Sequence, residues 1–230
     1  SYGIDSSLNQ ILEMTQMKAA LLVIMLTFSM SIWAQTETIE TEHEVGQIKD
    51  GYKVGVWEYK EGGVTKLKID YDSGSLIELA RDTSHYMIQV DTGWVLSQVY
   101  PHPRYIGSYQ EFYSVIGHNM KYPAEARRKR IQGLVYLEFE VNPHGKAVNL
   151  KLINDSEQIF ADAVFETFRL IPNQWIAAVH NKKPVSAKVI LPIEFRLGRP
   201  NKKNISAVNL EKLPGKNLPQ VVVTAYAVRR

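Results

Sequence analysis

The sequence predicts an α+β chain in which a β-hairpin-rich module precedes two helices on a short antiparallel sheet with an exposed edge strand. Three observations point there. Residues 46–100 are short aromatic and β-branched runs punctuated by Gly51, Gly55, Gly62, Gly63 and Gly74, the pattern of successive hairpins. From Tyr122 a helix-period stretch, an alternating hairpin and a second helix-period stretch follow in order. Val185, Ala187, Val189, Leu191, Ile193, Phe195 and Leu197 then alternate across residues 185–197, the clearest strand in the chain.

At the N-terminal end, Met17-Lys18 followed by AALLVIMLTFSMSIWA has the basic start and apolar core of a secretory signal. Residues 1–16 read as an extension upstream of a start at Met17, and residues 1–34 together as extension plus signal. The apolar run Ala19 to Ala34 makes a helix of about 24 Å, short of a hydrocarbon core of about 30 Å. Lys18 before it and Glu37, Glu40, Glu42 and Glu44 after it send the C-terminal bulk across the membrane whether or not the segment is cleaved. The expected location is therefore the far side of that membrane, either free after cleavage or tethered by Ala19–Ala34.

Residues 35–45 are polar and acidic and read as a linker. In the module that follows, GYKVGVWEYKEGG and YDSGSLIE are similar to MORN-like repeats, with Trp57 and Tyr59 as packing aromatics. A further hairpin is expected at HYMIQV-DTG-WVLSQVY, turning at Asp91 to Gly93. Pro123 can open a helix filled by AEARRKRI and ended by Gly133. LVYLEFEV places Val135, Leu137, Phe139 and Val141 opposite Tyr136, Glu138 and Glu140, and NPHG turns it into KAVNLKLI. Asp155 and Gln158 suggest a cap for a second helix carrying Phe160, Val164, Phe168 and Ile171 before Pro172. Pro192 lies inside the last strand; lacking an N–H, it demotes that strand to an edge or a bulge.

Composition excludes several function classes. Residues 35–121 hold 8 basic and 13 acidic groups, net −5, whereas 199–230 hold 7 and 1, net +6. The basic tail has no aromatic-rich, helical or motif context, so nucleic acid is not an expected partner. With no cysteine, disulfides, thiolate metal sites and a Cys nucleophile are unavailable. His43-Glu44-Val45-Gly46-Gln47 starts like a zinc protease motif but has Gln47 where the second histidine belongs. His43, His85, His102, His118, His144 and His180 never pair at ligand spacing. Neither G-x-S-x-G nor G-x-x-x-x-G-K-[ST] occurs. No enzyme, metal or cofactor is expected. Arg127-Arg128-Lys129-Arg130 reads as a solvated helix face, with an anionic partner or membrane surface as the other reading. Trp175 reads as a lid on the core, with a partner contact as the alternative.

The series YPAEARRKRIQGLVYLEFEVNPHGKAVNLKLI, then Trp175, Lys183-Pro184-Val185 and LPIEF, resembles the C-terminal domain of the TonB family, over residues 103–198. PRYIGSYQEFYSVIGHNMKYP matches the lead-in of some members. The resemblance implies a periplasmic module that binds the TonB box of an outer-membrane transporter by β-strand addition and takes part in TonB-dependent transmembrane transport. It implies Val185 to Leu197 as the capture strand, and Asn119, where transporter-pulling members carry an amide, as a box contact. For an energy transducer it also implies an inner-membrane motor complex. The transducers' histidine-bearing anchor and Pro-rich, Lys-rich spacer have no counterpart here. A non-energised periplasmic scaffold reusing the fold is therefore the alternative, and an exposed edge also permits homo-oligomers.

The remaining segment, 199–230, reads as a flexible tail. Within it, residues 218–226, LPQVVVTAY, look like a TonB box, with Val221, Val222, Val223, Thr224 and Tyr226 as a candidate self-ligand. Residues 199–217 reach on the order of 65 Å when extended, enough for self-docking. A disordered tail and an extra structural strand are the other readings.

Overall fold

The computed structural model describes residues 36–153, 155–198 and 215–226. The expected extension and signal, residues 1–34, and residues 199–214 of the tail lie outside them. Among the described residues no helix is long and apolar enough to cross a membrane.

The first sheet is a meander of β1 (Thr36–Glu40), β2 (Glu44–Lys49), β3 (Tyr52–Glu61), β4 (Val64–Asp70) and β5 (Ser75–Leu79), paired in that order. Trp57, Tyr59, Leu67, Ile69 and Leu79 form its core. A Cβ on Gly46 would lie 2.2 Å from the Trp57 ring, so only glycine lets β2 pass the indole. The indole N–H donates to the Gln47 carbonyl at 3.1 Å, and the Lys53 ammonium sits 4.0 Å from the ring centroid, close enough for a cation–π attraction.

The linker expected at 35–45 is corrected, because Thr36–Glu40 pairs along its whole length with Val45–Lys49. Four of the five β1 residues are exposed. Backbone hydrogen bonds rather than buried side chains hold it, which is why it carries no apolar pattern.

The second sheet has the order β10 (Ala147–Leu152), β9 (Gly133–Val141), β14 (Ala187–Leu197), β6 (Tyr86–Val90), β7 (Gly93–Ser97), and β15 (Val221–Ala225) also pairs with β14. The hairpin β6–β7 forms with Val90 opposite Gly93. Expected to complete the N-terminal module, it instead joins this sheet, with Ala187 opposite Ile88 and Lys188 opposite Met87. Tyr86 and Ile88 pack with Ala178 and Ala187. The module expected at 46–100 is therefore divided between two sheets.

Three helices cover one face of this sheet: α1 (Tyr109–Asn119), α2 (Ala124–Lys129) and α3 (Ala161–Phe168). Phe112, Ile116, Phe160, Val164 and Phe168 pack on Val135, Leu137, Phe139, Val189, Leu191, Ile193 and Phe195. α1 is an addition to the two helices expected. Its start was nonetheless encoded, since the Ser108 hydroxyl accepts from the Glu111 amide at 3.0 Å, as an N-cap does. α2 ends at Arg130 in the left-handed conformation, φ 57°, short of Gly133, which already belongs to β9. Asp155–Phe160 is a 3₁₀ turn, and α3 starts at Phe160 without a side-chain cap, so the cap expected at Asp155 does not start an α-helix.

Two close approaches lock the far end of the sheet. β8 (Arg104–Tyr105) pairs with β11 (Trp175–Ile176), and Trp175 is buried against Phe139, Phe112 and Tyr105. A Cβ on Gly145 would lie 2.2 Å from the Trp175 carbonyl oxygen. The NPHG turn can therefore close only with glycine there.

β12 (Ala178–His180) and β13 (Lys183–Val185) form a separate hairpin. Its turn holds Asn181 at φ 49° and Lys182 at φ 63°, and the second position is a lysine where glycine would be unstrained. Lys182→Gly is expected to raise stability by about 0.5–1 kcal/mol, read as a higher urea midpoint at unchanged slope; an unchanged or lower midpoint would contradict the strain.

Candidate functional site

The strand expected to capture a partner runs through the middle of the sheet. Residues 187–195 of β14 pair with β9 in unbroken antiparallel register, from Ala187 opposite Val141 to Phe195 opposite Gly133. On the other side β6 covers only Ala187 and Lys188. From Ile190 onward that second backbone row belongs to the tail.

The tail runs parallel to β14. The Ile190 amide donates to the Lys216 carbonyl at 3.3 Å, and the Leu218 amide to the Ile190 carbonyl at 2.8 Å. Ile193 to Leu197 then pair in order with Val221 to Ala225, and the Gly198 amide closes the ladder on the Ala225 carbonyl at 2.8 Å. Ile190 and Gly198 both point to the tail, so the even-numbered residues of β14 face it and the odd-numbered ones face β9.

Pro192 is even-numbered. Its missing N–H falls on the tail side, where the pairing slips from Ile190 opposite Asn217 to Ile193 opposite Val221. The extra tail residue in that interval is a bulge, and Pro219 lies within it as well. Pro192 is thus accommodated by an irregular ladder. The open edge inferred from it is corrected: both sides of β14 are paired.

Side chains add contacts at three levels. At the root of the tail, the Lys216 ammonium lies 3.2 Å from an Asp82 carboxylate oxygen and donates to the Ser84 hydroxyl at 3.1 Å. Leu218 is buried in the main core, with Val221 and Val223 packed against it. Between them, Gln220 donates to a carboxylate oxygen of buried Glu194 at 2.7 Å. That carboxylate also takes the Arg196 guanidinium, through Nε and through Nη2 at 2.7 Å. A buried carboxylate needs such donors, and the tail supplies one.

The sequence-predicted residues divide accordingly. Ala187, Val189, Leu191, Ile193, Phe195 and Leu197 lie on β14. Ala187 meets β6, while Ile193, Phe195 and Leu197 stand opposite the tail. Val185 belongs to β13 and pairs with Ala178, which corrects its place in the capture strand; the chain leaves the β12–β13 hairpin before β14 begins. Asn119 ends α1, is exposed, and donates its amide back to the Val115 carbonyl at 2.8 Å. Val221, Val222, Val223 and Thr224 form β15, and Tyr226 follows it with 76% of its surface exposed. Asp82, Glu194, Lys216 and Gln220 were missed. Their link to the tail has no local signal, since Lys216 to Asp82 and Gln220 to Glu194 join residues distant in sequence.

Beside the root of the tail is a cavity of about 420 Å³, lined among others by Arg81, Asp82, His102, Arg104, Lys216 and Leu218. Arg104 is buried and bonds Glu61 at 2.9 Å. Burial alone would raise the Asp82 carboxyl, but the Ser84 hydroxyl and amide, the Tyr86 hydroxyl and Lys216 hold it well below the usual range. Burial pushes the His102 imidazole down to about 4; Arg104 and Lys216 act the same way and Asp82 against them. Its ring stacks on Tyr86 at 6.0 Å between centroids. Among the described residues no cluster of three or more His, Asp or Glu groups is disposed to hold a metal.

The depressed His102 value has a consequence for stability. An unfolded chain takes up a proton near pH 6.5, which the folded chain refuses until about pH 4. The contribution of neutral His102 is therefore complete above about pH 6.5 and is lost as pH falls toward 4. The thermal midpoint is expected to drop across that interval, and His102→Gln to flatten the drop. Parallel pH profiles for the two proteins would contradict the assignment.

No curated protein and no solved structure matches the chain. Residues 46–100, with their similarity to MORN-like repeats, lie outside the family match at 118–197, which takes in α2, β9, β10, α3 and β14. Over residues 118–197 the chain matches the family described as Gram-negative bacterial TonB protein C-terminal.

Proposed function

We propose that the protein is a periplasmic partner of outer-membrane transporters, taking the TonB box of a transporter as an added strand on β14 in TonB-dependent transport. The family matched at 118–197 is one of transport and energy transduction rather than of enzymes, and its members generally interact with outer-membrane transporters. The observation that carries the reading is the backbone row from Ile190 of β14 to Gly198, which follows it. There β14 accepts an extended segment that is remote in sequence, through main-chain hydrogen bonds and alternate side-chain seats. Nothing in this function needs a metal or cofactor. The export signal at 17–34 and an inner-membrane motor complex belong to the same reading.

A scaffold reading, in which the protein joins two others without transmitting force, is favoured by one feature. The first sheet exposes Tyr52, Val56, Val64, Leu76 and Ile77, with Leu76 on the Trp57 face and Val56 on the other, apolar side chains that the box-binding role does not use.

The test is an amide-resolved titration of the full chain with a synthetic transporter-box peptide. Because even-numbered residues of β14 face the receiving side, the largest shifts are expected at the Ile190, Glu194, Arg196 and Gly198 amides. Those of Val189, Leu191 and Ile193, turned toward β9, should move least. Shifts confined to the first sheet would favour the scaffold, and none at saturating peptide would exclude strand capture.

A further inference from the structure

We propose that the C-terminal strand is a displaceable resident of the receiving row, so that an incoming ligand strand must share its chemistry and evict it. The inference rests on the strand-capture reading above. It goes further in naming what the incoming segment must look like and what it competes with.

The docked tail displays the requirements of the row. The ligand runs parallel to β14. A large aliphatic side chain enters the core at the position of Leu218. A proline is tolerated next, because Pro219 lies in the bulged interval, where the ladder asks no N–H of it. A hydrogen-bond donor follows at the position of Gln220, where buried Glu194 needs one; an acidic residue there would face a carboxylate at close range. Apolar residues then alternate inward, as Val221 and Val223 do, while Val222 is 45% exposed. An aliphatic residue, a donor and two inward-facing β-branched residues thus define the partner segment.

The same structure explains why this resident can leave. Outside the ladder, the side-chain bonds that retain it among the described residues are few: Lys216 to Asp82 and Ser84, and Gln220 to Glu194. The Lys216 pair is partly exposed, 34% and 21% for the two side chains, and such pairs contribute little. The family match ends at Leu197, ahead of the tail, so the matched domain and its occupant are separate stretches of chain. A tethered strand faces its seat at an effective concentration on the order of millimolar. A free strand of equal intrinsic affinity is therefore strongly disfavoured until the resident is weakened.

The probe is a fluorescein-labelled peptide of residues 215–226 added to the full chain, with anisotropy as the readout. Val223→Asp in the chain's own tail removes an inward contact without altering β14. It is expected to tighten binding of the probe by about tenfold or more. A probe carrying Glu in place of Gln220 should bind at least tenfold more weakly to that variant. The chain has no cysteine, and Leu197 stands opposite Ala225 at the roughly 5 Å spacing a disulfide spans. Leu197→Cys with Ala225→Cys should lock the resident in place, abolishing probe binding when oxidised and restoring it on reduction. Equal probe affinity in the wild-type and Val223→Asp chains would overturn the displacement proposal and leave strand capture standing, whereas undiminished affinity in the oxidised double-cysteine chain would place the probe off β14 and overturn both. No probe binding to any of them, the reduced chain included, would overturn both.

Discussion

Everything in the second sheet depends on the need to satisfy two rows of backbone groups on β14. A strand buried on both faces from Val189 to Phe195 cannot leave N–H and C=O groups unpaired without a penalty of the order of 1–3 kcal/mol for each. β9 meets one row. The other is divided among the short overlap with β6, the irregular interval at Pro192 and the parallel tail, so a segment remote in sequence completes the sheet.

That division accounts for the chemistry placed around it. Glu194 is a carboxylate in a nearly closed position, acceptable because Arg196 and Gln220 converge on it. Lys216 reaches Asp82, whose charge is already held by Ser84 and Tyr86. The loop before β6 and the root of the tail are thereby joined beside the cavity containing His102. Docking of the tail is coupled to the β6 hairpin and not to β14 alone.

The sequence revealed most where structure is local. The alternation in β9 and β14, the apolar face of α3, the hairpin at Asp91 and the NPHG turn depend on neighbours a few residues away, and periodicity records such neighbours. What stayed hidden depends on distant ones. β1 has no apolar face because its ladder to β2 carries it. α1 is rich in aromatic and β-branched residues of modest helix propensity, and only Ser108 with Glu111 announced it. Pro192 was legible as a break in hydrogen bonding, but whether the break lies at an open edge or in a bulge depends on a partner beyond the reach of periodicity. At the site, the box-like run Val221–Thr224 could be read, whereas its direction, its register and the seat of Gln220 could not. Each is set by Glu194, Ile190 and the core around Leu218, far away in the chain.

The most direct measurement is hydrogen exchange at two amides of the full chain, Leu218 and Gly198, whose bonds to the Ile190 and Ala225 carbonyls exist only when the tail lies parallel on β14. Exchange slowed by about a hundredfold or more relative to an unstructured peptide is the predicted result. Exchange of both at the unstructured rate, with the β9 amides still protected, would show that the receiving row is open and contradict the account.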